Sequence, residues 1–306
     1  MTRLFDAEET AARLPYPDLA DSIREVALAR SSGGVQAPPR LVLPLLAKPG
    51  AVLLVMPASD HDIAITKLVT VHPENAGSGL PTIQGEVVVM EASTGTRLGI
   101  LDGATVTARR TAALSMLAAR ELAPRPEGTL LVVGAGAQGR SHLEAFREGL
   151  GVSKAFISSR TPESAEALAA HAEDLGMDAA VVAAPEAVLS EASLVVTATT
   201  SREPVLPDAV AEGTFVAAVG SFEPGAAELS PVLVSNSTVV VDTMEGAKEE
   251  AGDLIQSEKE GVFRWSGVTE LEEVLRGRDR PSGTVIFKSV GHSLWDLAAA
   301  RTAFSL

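Results

Sequence analysis

Three glycines with a fixed spacing form the clearest chemical signal in the chain. Gly134, Gly136 and Gly139 directly follow the apolar run 130–133, and a segment with helical spacing begins after them. In a strand–turn–helix unit the first glycine permits a tight turn, the second lets the backbone approach a pyrophosphate, and the third lets the helix pack close to the strand. The helix N-terminus also favours the phosphate charge. The pattern predicts dinucleotide binding; the alternative is a glycine-rich turn in a non-binding sheet.

The same turn also has the outline of a P-loop, because Arg140 and Ser141 follow Gly139. A P-loop has lysine in place of this arginine, and its compact ammonium reaches the terminal phosphates in a way that arginine does not simply reproduce. The inner Gly136 further favours the dinucleotide interpretation.

The second strand of this region ends in Ser158, Ser159 and Arg160, followed by Thr161. In NAD-preferring domains an acidic residue usually binds the ribose 2′-hydroxyl at this position. Hydroxyl and guanidinium groups suit a 2′-phosphate instead. The sequence therefore predicts NADPH as the preferred cofactor, with NADH possible. The alternative is a solvated arginine at the start of a helix.

The elements that must position these residues change character near residue 104. Before it, a helix is predicted over 18–30 and strands over 41–46, 51–56, 62–71, 87–92 and 97–101, with a hairpin turn at 93–96. After a helix over 106–122, short apolar strands alternate with helices, which is typical of a parallel sheet covered on both faces. Two domains are predicted: 1–109 completed by the last helix (293–303), and a doubly wound domain over 110–285.

Composition narrows the function classes. The 306 residues carry a formal net charge of −15, which argues against nucleic acid and anionic membranes as partners. The absence of cysteine excludes disulfides, thiolate metal sites and a cysteine nucleophile, and the five histidines lack metal-site spacing, so no metal is expected. The acidic N-terminus is unlike a signal peptide, and no apolar run reaches the ~18 residues of a membrane helix. We therefore expect a cytoplasmic location.

The whole chain resembles the ornithine cyclodeaminase/μ-crystallin family. The motifs that carry the resemblance are Pro39-Arg40, Lys67 five residues before His72-Pro73, Leu101-Asp102-Gly103, Thr107-Ala108-Arg109-Arg110-Thr111-Ala112-Ala113, the glycine turn 134–139, Thr197-Ala198-Thr199-Thr200-Ser201, Gly220-x-x-x-Pro224-Gly225-x-x-Glu228-Leu229, and Lys288-Ser289-Val290-Gly291. The resemblance implies a homodimer and an α/β fold, in which the Rossmann domain (110–285) is inserted into an antiparallel α+β domain for substrate binding and dimerisation (1–109 plus 286–306).

The resemblance also implies roles for individual residues. By position, Arg40, Lys67 and Arg110 would bind the substrate carboxylate, and Lys67 would also be catalytic. The resemblance and the glycine motif together imply a set of residues that contact the cofactor. These are Thr82, Arg110, Thr111, Gly134, Gly136, Ala137, Gln138, Gly139, Ser159, Arg160, Thr161, Thr197, Ala198, Thr199, Val219 and Ser289.

Each of these cations has a structural alternative. Lys67 lies in an otherwise apolar strand, so its charge either lies on a solvated face or faces a site. Arg40 and Arg110 could form surface salt bridges, and Arg109 could take the role assigned to Arg110. His292 lies near the position at which the family contacts the nicotinamide, so a site role is open for it too.

Two departures from the family pattern bear on the reaction. Where cyclodeaminases have an acidic residue before Pro224-Gly225, this chain has Phe222, beside Glu223; where they have a glutamate before the Met-Pro of the early strands, it has Leu54. The loss of both carboxylates favours reduction of a preformed imine. We expect NAD(P)H-dependent reduction of a cyclic ketimine carboxylate, Δ1-pyrroline-2-carboxylate or Δ1-piperideine-2-carboxylate, to L-proline or L-pipecolate. The alternatives are ornithine cyclodeaminase or alanine dehydrogenase activity, or a μ-crystallin-like NADPH-binding protein with little catalysis.

Overall fold

The computed structural model describes residues 3–75, 78–277 and 279–306. The strands are β1 (Arg3–Leu4), β2 (Leu41–Pro44), β3 (Val52–Ser59), β4 (Ile63–Val71), β5 (Ile83–Glu91), β6 (Arg97–Asp102), β7 (Leu130–Val133), β8 (Lys154–Ser158), β9 (Asp178–Val181), β10 (Leu194–Thr197), β11 (Phe215–Ala218), β12 (Thr238–Val241), β13 (Thr269–Glu270) and β14 (Val285–Lys288). The α-helices are α1 (Ala7–Ala12), α2 (Tyr16–Ser31), α3 (Gly103–Leu122), α4 (Ala137–Leu150), α5 (Pro162–Asp174), α6 (Pro231–Ser235), α7 (Met244–Glu250), α8 (Gly252–Lys259), α9 (Leu271–Leu275) and α10 (Ser293–Phe304).

The chain divides into two compact units, Met1–Arg110 with His292–Leu306, and Thr111–Gly291. The first boundary between the units, at 110/111, falls within α3. The sequence predicted the second boundary at 285/286, whereas the structure has it at 291/292. The reason is that β14 pairs with β11 and β12 and so belongs to the parallel sheet.

The first unit is built on a six-stranded sheet in the order β1-β6-β5-β4-β3-β2. The pairs from β2 to β6 are antiparallel, as predicted, and the short β1 adds to β6 in parallel. In β4, alternate residues from Ile63 to Val69 are buried, which leaves Leu68 on the opposite, outer face. α10 packs on the inner face, and α2 packs against α10.

The second unit contains an eight-stranded sheet in the order β13-β12-β14-β11-β10-β7-β8-β9, and all its pairings are parallel. Every residue of β7, β10, β11 and β14 is buried, so both faces are covered at the centre. The chain leaves β7 in one direction for β8 and returns on the other side as β10. The carboxyl ends of β7 and β10 therefore form the switch point at which such sheets bind ligands.

The predicted Rossmann-type α/β class is confirmed, with local corrections. The run 179–184 was predicted to be a buried strand, but only its first part lies in a strand, the largely exposed β9 (Asp178–Val181), which is at the sheet edge and pairs only with β8. The short elements β1, α1, α6, β13 and α9 were not predicted, since two to six residues carry too little periodicity to be recognised. Within the described ranges, no helix is long and apolar enough to cross a membrane.

Candidate functional site

A buried charge cluster lies on the inner face of the antiparallel sheet. Lys67, at the centre of β4, is 2% exposed, and its Nζ donates a hydrogen bond of 2.9 Å to Asp296 Oδ1. Arg110, on α3, is 6% exposed, and its Nε lies 3.5 Å from the same oxygen. Asp296 lies in the first turn of α10 and is fully buried. The solvated-strand alternative for Lys67 is therefore wrong.

The surroundings of Lys67 act on its pKa in both directions. Together these influences lower the pKa of Lys67 from 10.5 to about 8: burial, the largest, lowers it, the charge and hydrogen bond of Asp296 raise it, and the positive charges of Arg110 and Arg40 lower it. The strand neighbours directly opposite Lys67 are the apolar Met56 and Val87. The result is an ammonium that can lose its proton close to neutral pH.

The two adjacent arginines of α3 have different surroundings. The Nε of Arg109 donates to Leu14 O (2.8 Å), and its guanidinium lies 3.8 Å from the centre of the Tyr16 ring. Only Arg110 of the pair is part of the Lys67 cluster. Arg40 is half-buried before β2 and acts on Lys67 through its charge.

Two further predicted residues of this unit lie near element ends. Thr82 precedes β5, and its carbonyl accepts from the His72 N–H (2.8 Å). His292 caps α10, because its Nδ1 accepts from the Leu294 N–H (3.2 Å). No contact of either residue with Lys67 is found among the residues described.

The glycine turn in the second unit has the geometry that its spacing predicts. Gly134 has φ +109°, and a Cβ there would lie 2.4 Å from Ala198 O. A Cβ on Gly139 would lie 1.9 Å from Gly134 O, so α4 approaches the turn closely. A Cβ on Gly136, the N-cap of α4, would meet nothing within 4 Å. The open space above Gly136 and the N-terminus of α4, where Ala137 and Gln138 lie, fit a pyrophosphate.

The carboxyl end of β8 lies beside this turn, because Gly134 N donates to Ser158 O (2.8 Å). Ser159 is half-buried, and Arg160 and Thr161 are exposed. Thr161 is the N-cap residue of α5, and its hydroxyl donates to Ser164 Oγ (2.7 Å).

A buried carboxylate ties together the ends of β10 and β11. Glu228 accepts from the Thr197 hydroxyl (3.0 Å), from the backbone and hydroxyl of Thr199 (2.7 and 2.8 Å), and from the N–H groups of Gly220 (2.7 Å) and Ser221 (3.3 Å). Burial raises the pKa of Glu228, and the charge of Lys288 and the hydrogen bonds from Thr199 oppose that shift. Glu228 thus fixes the loop that contains Thr197, Ala198 and Thr199, and the turn after Val219.

A second buried acid holds Ser289. The Ser289 hydroxyl donates to Asp242 Oδ2 (2.7 Å), which also accepts from the Gly291 N–H (3.0 Å). Its hydrogen is used in this bond, so the hydroxyl can offer only lone pairs to another partner. Thr111 is buried at the start of the portion of α3 that belongs to this unit.

Three acids important to these arrangements were missed or left without a role: Asp296, Glu228 and Asp242. Glu228 appeared only as part of a motif. A signal for Asp296 was present, since it is an acid in the otherwise apolar segment Leu294–Ala300. No spacing rule connects it with Lys67, 229 residues earlier. Among the residues described, no three His, Asp or Glu side chains are grouped as a metal site would require.

The parallel sheet, with its glycine turn at the switch point, defines a Rossmann-type nucleotide-binding protein. The model of the ornithine cyclodeaminase/mu-crystallin family matches residues 3–305, and the chain belongs to that family, as the resemblance predicted.

Named relatives are similar over nearly the whole chain. Δ1-pyrroline-2-carboxylate reductase 1 of Burkholderia multivorans is 44% identical, over 99% of this chain and 95% of that protein. The Δ1-pyrroline-2-carboxylate/Δ1-piperideine-2-carboxylate reductase of Azospirillum brasilense is 41% identical, over 98% and 94%. The structure of Thermococcus litoralis Δ1-pyrroline-2-carboxylate reductase in complex with NADH and L-proline superimposes with a TM-score of 0.92 at 28% identity, over 99% of this chain and 97% of that chain.

Proposed function

We propose that this chain is a pyridine-nucleotide-dependent reductase of cyclic ketimine carboxylates, which converts Δ1-pyrroline-2-carboxylate or Δ1-piperideine-2-carboxylate to L-proline or L-pipecolate. The observation that carries the proposal is the buried cluster of Lys67, Arg110 and Asp296 next to the charge of Arg40. Two buried cations, Lys67 and Arg110, share the single carboxylate of Asp296, so a substrate carboxylate would complete the charge balance. All three relatives named above are called Δ1-pyrroline-2-carboxylate reductases, and the name of the Azospirillum brasilense protein also includes Δ1-piperideine-2-carboxylate.

In this proposal the chain's own residues bind and orient the substrate. Arg110 and Arg40 bind the carboxylate, because guanidinium groups pair with carboxylates in a fixed geometry. Lys67, whose pKa of about 8 lies near neutral pH, donates a proton to the imine nitrogen. The glycine turn 134–139 would hold a pyridine nucleotide, which would supply the hydride for C2. Ser289 and Thr111 are proposed to lie near its nicotinamide.

We further propose NADPH as the preferred dinucleotide. The support is the carboxyl end of β8, where Ser159, the exposed Arg160 and Thr161 stand in place of an acidic residue. NADH remains a possible cofactor, and it is the one bound in the Thermococcus litoralis structure.

The cyclodeaminase alternative is disfavoured by two apolar residues. Leu54 lies on β3 two residues from Met56, the partner of Lys67, and so shares the sheet face of Lys67. Phe222 follows β11 and is 43% exposed. The neighbouring Glu223 does not replace an acid at position 222, because it is exposed and paired with Arg202 (3.4 Å).

We propose a homodimer formed through the outer face of the antiparallel sheet. Leu41, Leu43 and Leu68 are exposed on this face, beside Leu53 and Val55. A contiguous exposed apolar face marks an interaction surface. Light scattering should give about twice the chain mass of 31.6 kDa. Leu68→Glu should lower that mass, whereas Val181→Glu, on the edge strand of the other sheet, should not. A wild-type mass of one chain would contradict the dimer.

The activity is tested by NADPH and NADH oxidation with Δ1-pyrroline-2-carboxylate, Δ1-piperideine-2-carboxylate, and pyruvate plus ammonia. Saturable oxidation with at least one cyclic imine, and formation of proline or pipecolate, is the expected result. Oxidation with pyruvate plus ammonia alone would instead indicate an alanine dehydrogenase. Dinucleotide binding without turnover of any substrate would indicate a binding protein.

A further inference from the structure

Asp296 combines a buried ion pair with an unused hydrogen-bonding oxygen. Its Oδ1 accepts from Lys67 Nζ at 2.9 Å and lies 3.5 Å from Arg110 Nε. Its Oδ2 is buried and has no hydrogen-bond partner in the part of the chain that the structure describes. Asp296 is fully buried, so its pair with Lys67 is not an ordinary surface salt bridge. Lys67 is also the residue that the proposed function places against the substrate.

The position of Asp296 in the fold suits a fixed negative charge. It lies in the first turn of α10, where the helix dipole stabilises an anion. The helix is anchored separately by Arg301, whose Nη1 pairs with Asp60 at 2.6 Å and with Asp62 at 3.1 Å. Asp296 is thus held against β4 by an element whose seating does not depend on the Lys67 pair alone.

We infer that Asp296 is a positioning residue for the reduction: it holds the Lys67 ammonium in one place and keeps it protonated, so that Lys67 can serve as the proton donor to the imine nitrogen. The inference rests on the proposed function and deepens it, because it assigns the source of the proton.

The charges around Lys67 support this role. On β3 and β5 the residues opposite it are apolar, α3 presents Arg110, the segment before β2 contributes Arg40, and α10 presents Asp296. Of these groups Asp296 alone favours the ammonium; burial and both arginines disfavour it. Without the carboxylate, the pKa of Lys67 falls further, and a larger share of Lys67 is in the amine form at neutral pH.

The proton and electron balance of the step is closed. The lone pair of the imine nitrogen takes a proton from Nζ, and the electrons of the broken N–H bond remain on Nζ as the amine lone pair. The hydride that a reduced dinucleotide at the glycine turn would supply, being itself oxidised, brings the electron pair of the new C–H bond at C2, and the π pair of the C=N bond returns to nitrogen. Lys67 is then reprotonated by water, beside Asp296.

The experiment compares wild-type protein with Asp296→Asn and, as a matched control, Asp60→Asn. The control removes a different carboxylate that pairs with α10 without touching Lys67. The pH dependence of kcat and of kcat/KM for Δ1-pyrroline-2-carboxylate is measured from pH 5.5 to 10. Thermal unfolding and direct dinucleotide binding are measured for each protein.

We expect wild-type kcat to decline above about pH 8, as Lys67 loses its proton. In Asp296→Asn this decline should begin at least one pH unit lower, kcat at pH 7.5 should fall tenfold or more, and lowering the pH should restore part of the loss. Asp60→Asn should keep the wild-type pH profile even if its unfolding temperature drops. A merely structural role for Asp296 would lower kcat equally at every pH.

An unchanged profile in folded Asp296→Asn would overturn the inference. If that variant does not fold, Asp296→Glu decides: it retains the charge, so its alkaline decline should match wild type while kcat falls because Nζ is displaced. A shifted decline in Asp296→Glu would reject the inference. A wild-type protein that reduces no cyclic imine, yet binds a dinucleotide, would contradict the proposed function itself.

Discussion

The buried position of Lys67 is tolerated only because a carboxylate lies beside it. Burial in a sheet face disfavours the charged form of a lysine. The neighbouring strand residues are apolar and would pack equally well against an apolar side chain at position 67. The Asp296 carboxylate compensates part of the penalty, while Arg110 adds to it. Removing one partner of such a pair leaves an unpaired buried charge. Such an arrangement is typical of a functional site, in which perturbed pKa values are concentrated.

The first prediction concerns this lysine. Lys67→Met, which retains an unbranched stem, should lower kcat/KM for the imine by ~10²-fold or more, because the proton donor is lost. Dinucleotide affinity should stay within about threefold, since the glycine turn belongs to the other unit. Steady-state rates and fluorescence titrations measure the two effects. Lys48→Ala, an exposed lysine paired with Glu74, is the control and should behave as wild type. Undiminished turnover in folded Lys67→Met would return this lysine to a structural role.

The second prediction concerns the choice of dinucleotide. Arg160 is exposed just after β8, and the residues at this strand end, Ser158 and Ser159, are not acidic. A charge-assisted hydrogen bond to a 2′-phosphate contributes about 1.5–3 kcal/mol, roughly a tenfold to hundredfold preference. Arg160→Ala should therefore remove most of the kcat/KM advantage of NADPH and leave the NADH value almost unchanged. Arg276→Ala, which breaks a pair with Glu272 on α9, is the control. Equal kcat/KM values for both dinucleotides in wild-type protein would refute the preference.

At the scale of elements, the glycine turn separates structural from ligand-binding glycines. Gly136→Ala meets open space, so the unfolding temperature should stay unchanged while dinucleotide Kd rises tenfold or more, because the methyl group occupies the pyrophosphate approach. Gly139→Ala would place its Cβ 1.9 Å from Gly134 O, so both stability and binding should fall. Gly267→Ala, which also meets open space, should change neither. Calorimetry measures the unfolding temperature of each variant, and titration measures its dinucleotide Kd. Unimpaired binding by Gly136→Ala would show that this turn does not hold the dinucleotide.

His142 joins two elements of the second unit. Located on α4, it contacts Gln138 O through Nδ1 (2.8 Å) and Ser115 Oγ on α3 through Nε2 (2.9 Å). Burial lowers its pKa from 6.5 to about 4, because the charged imidazolium is disfavoured in the interior. Between those values the unfolded chain binds more protons than the folded one, so acidification through this window destabilises the fold.

The resulting prediction is a stability slope. Lowering the pH from 6.5 to 4 should remove about 3 kcal/mol of unfolding free energy through His142 alone. Urea unfolding at several pH values should show a shallower acid dependence in His142→Gln than in wild type. The exposed His61 provides the control, and His61→Gln should retain the wild-type slope. An equal slope in wild type and His142→Gln would mean that other groups cause the acid dependence.

The elements could be predicted where their patterns are long, and the contacts between distant segments could not. The β3–β4–β5 meander and the β7–α4 unit each have a clear hydrophobic period and a turn signal, so their positions agree within a few residues. The Lys67–Asp296 and Thr199–Glu228 contacts join residues that are 229 and 29 positions apart. Such pairings depend on packing of α10 and on the loops after β10 and β11. Single-sequence periodicity contains no information about either.

On the scale of the whole molecule, charge is distributed against the overall balance. The chain has a formal net charge of −15, yet the inner face of the antiparallel sheet collects Lys67 and Arg110 with Arg40 nearby. An acidic protein gains nothing in general electrostatics from burying these cations. Their concentration supports the proposed substrate site, because the proposed substrates are anionic.

The last prediction concerns the reaction that the whole chain does not perform. Conversion of ornithine to proline requires oxidation of an amino acid, attack by its side-chain amine and several proton transfers, each with an acid or base within hydrogen-bond reach. Leu54 and Phe222 stand where the family resemblance places the two carboxylates of cyclodeaminases, and neither side chain can move a proton. With ornithine and either oxidised dinucleotide, ammonia release should therefore be at least ~10²-fold slower than reduction of Δ1-pyrroline-2-carboxylate. Ammonia and proline are measured in one assay and NADPH loss in the other. Introducing Leu54→Glu and Phe222→Asp together should lower imine reduction without restoring full deamination, because the surrounding apolar contacts are unchanged. Robust ammonia release by wild-type protein, with no imine reduction, would assign the chain to the cyclodeaminases and make Glu223 the first residue to re-examine.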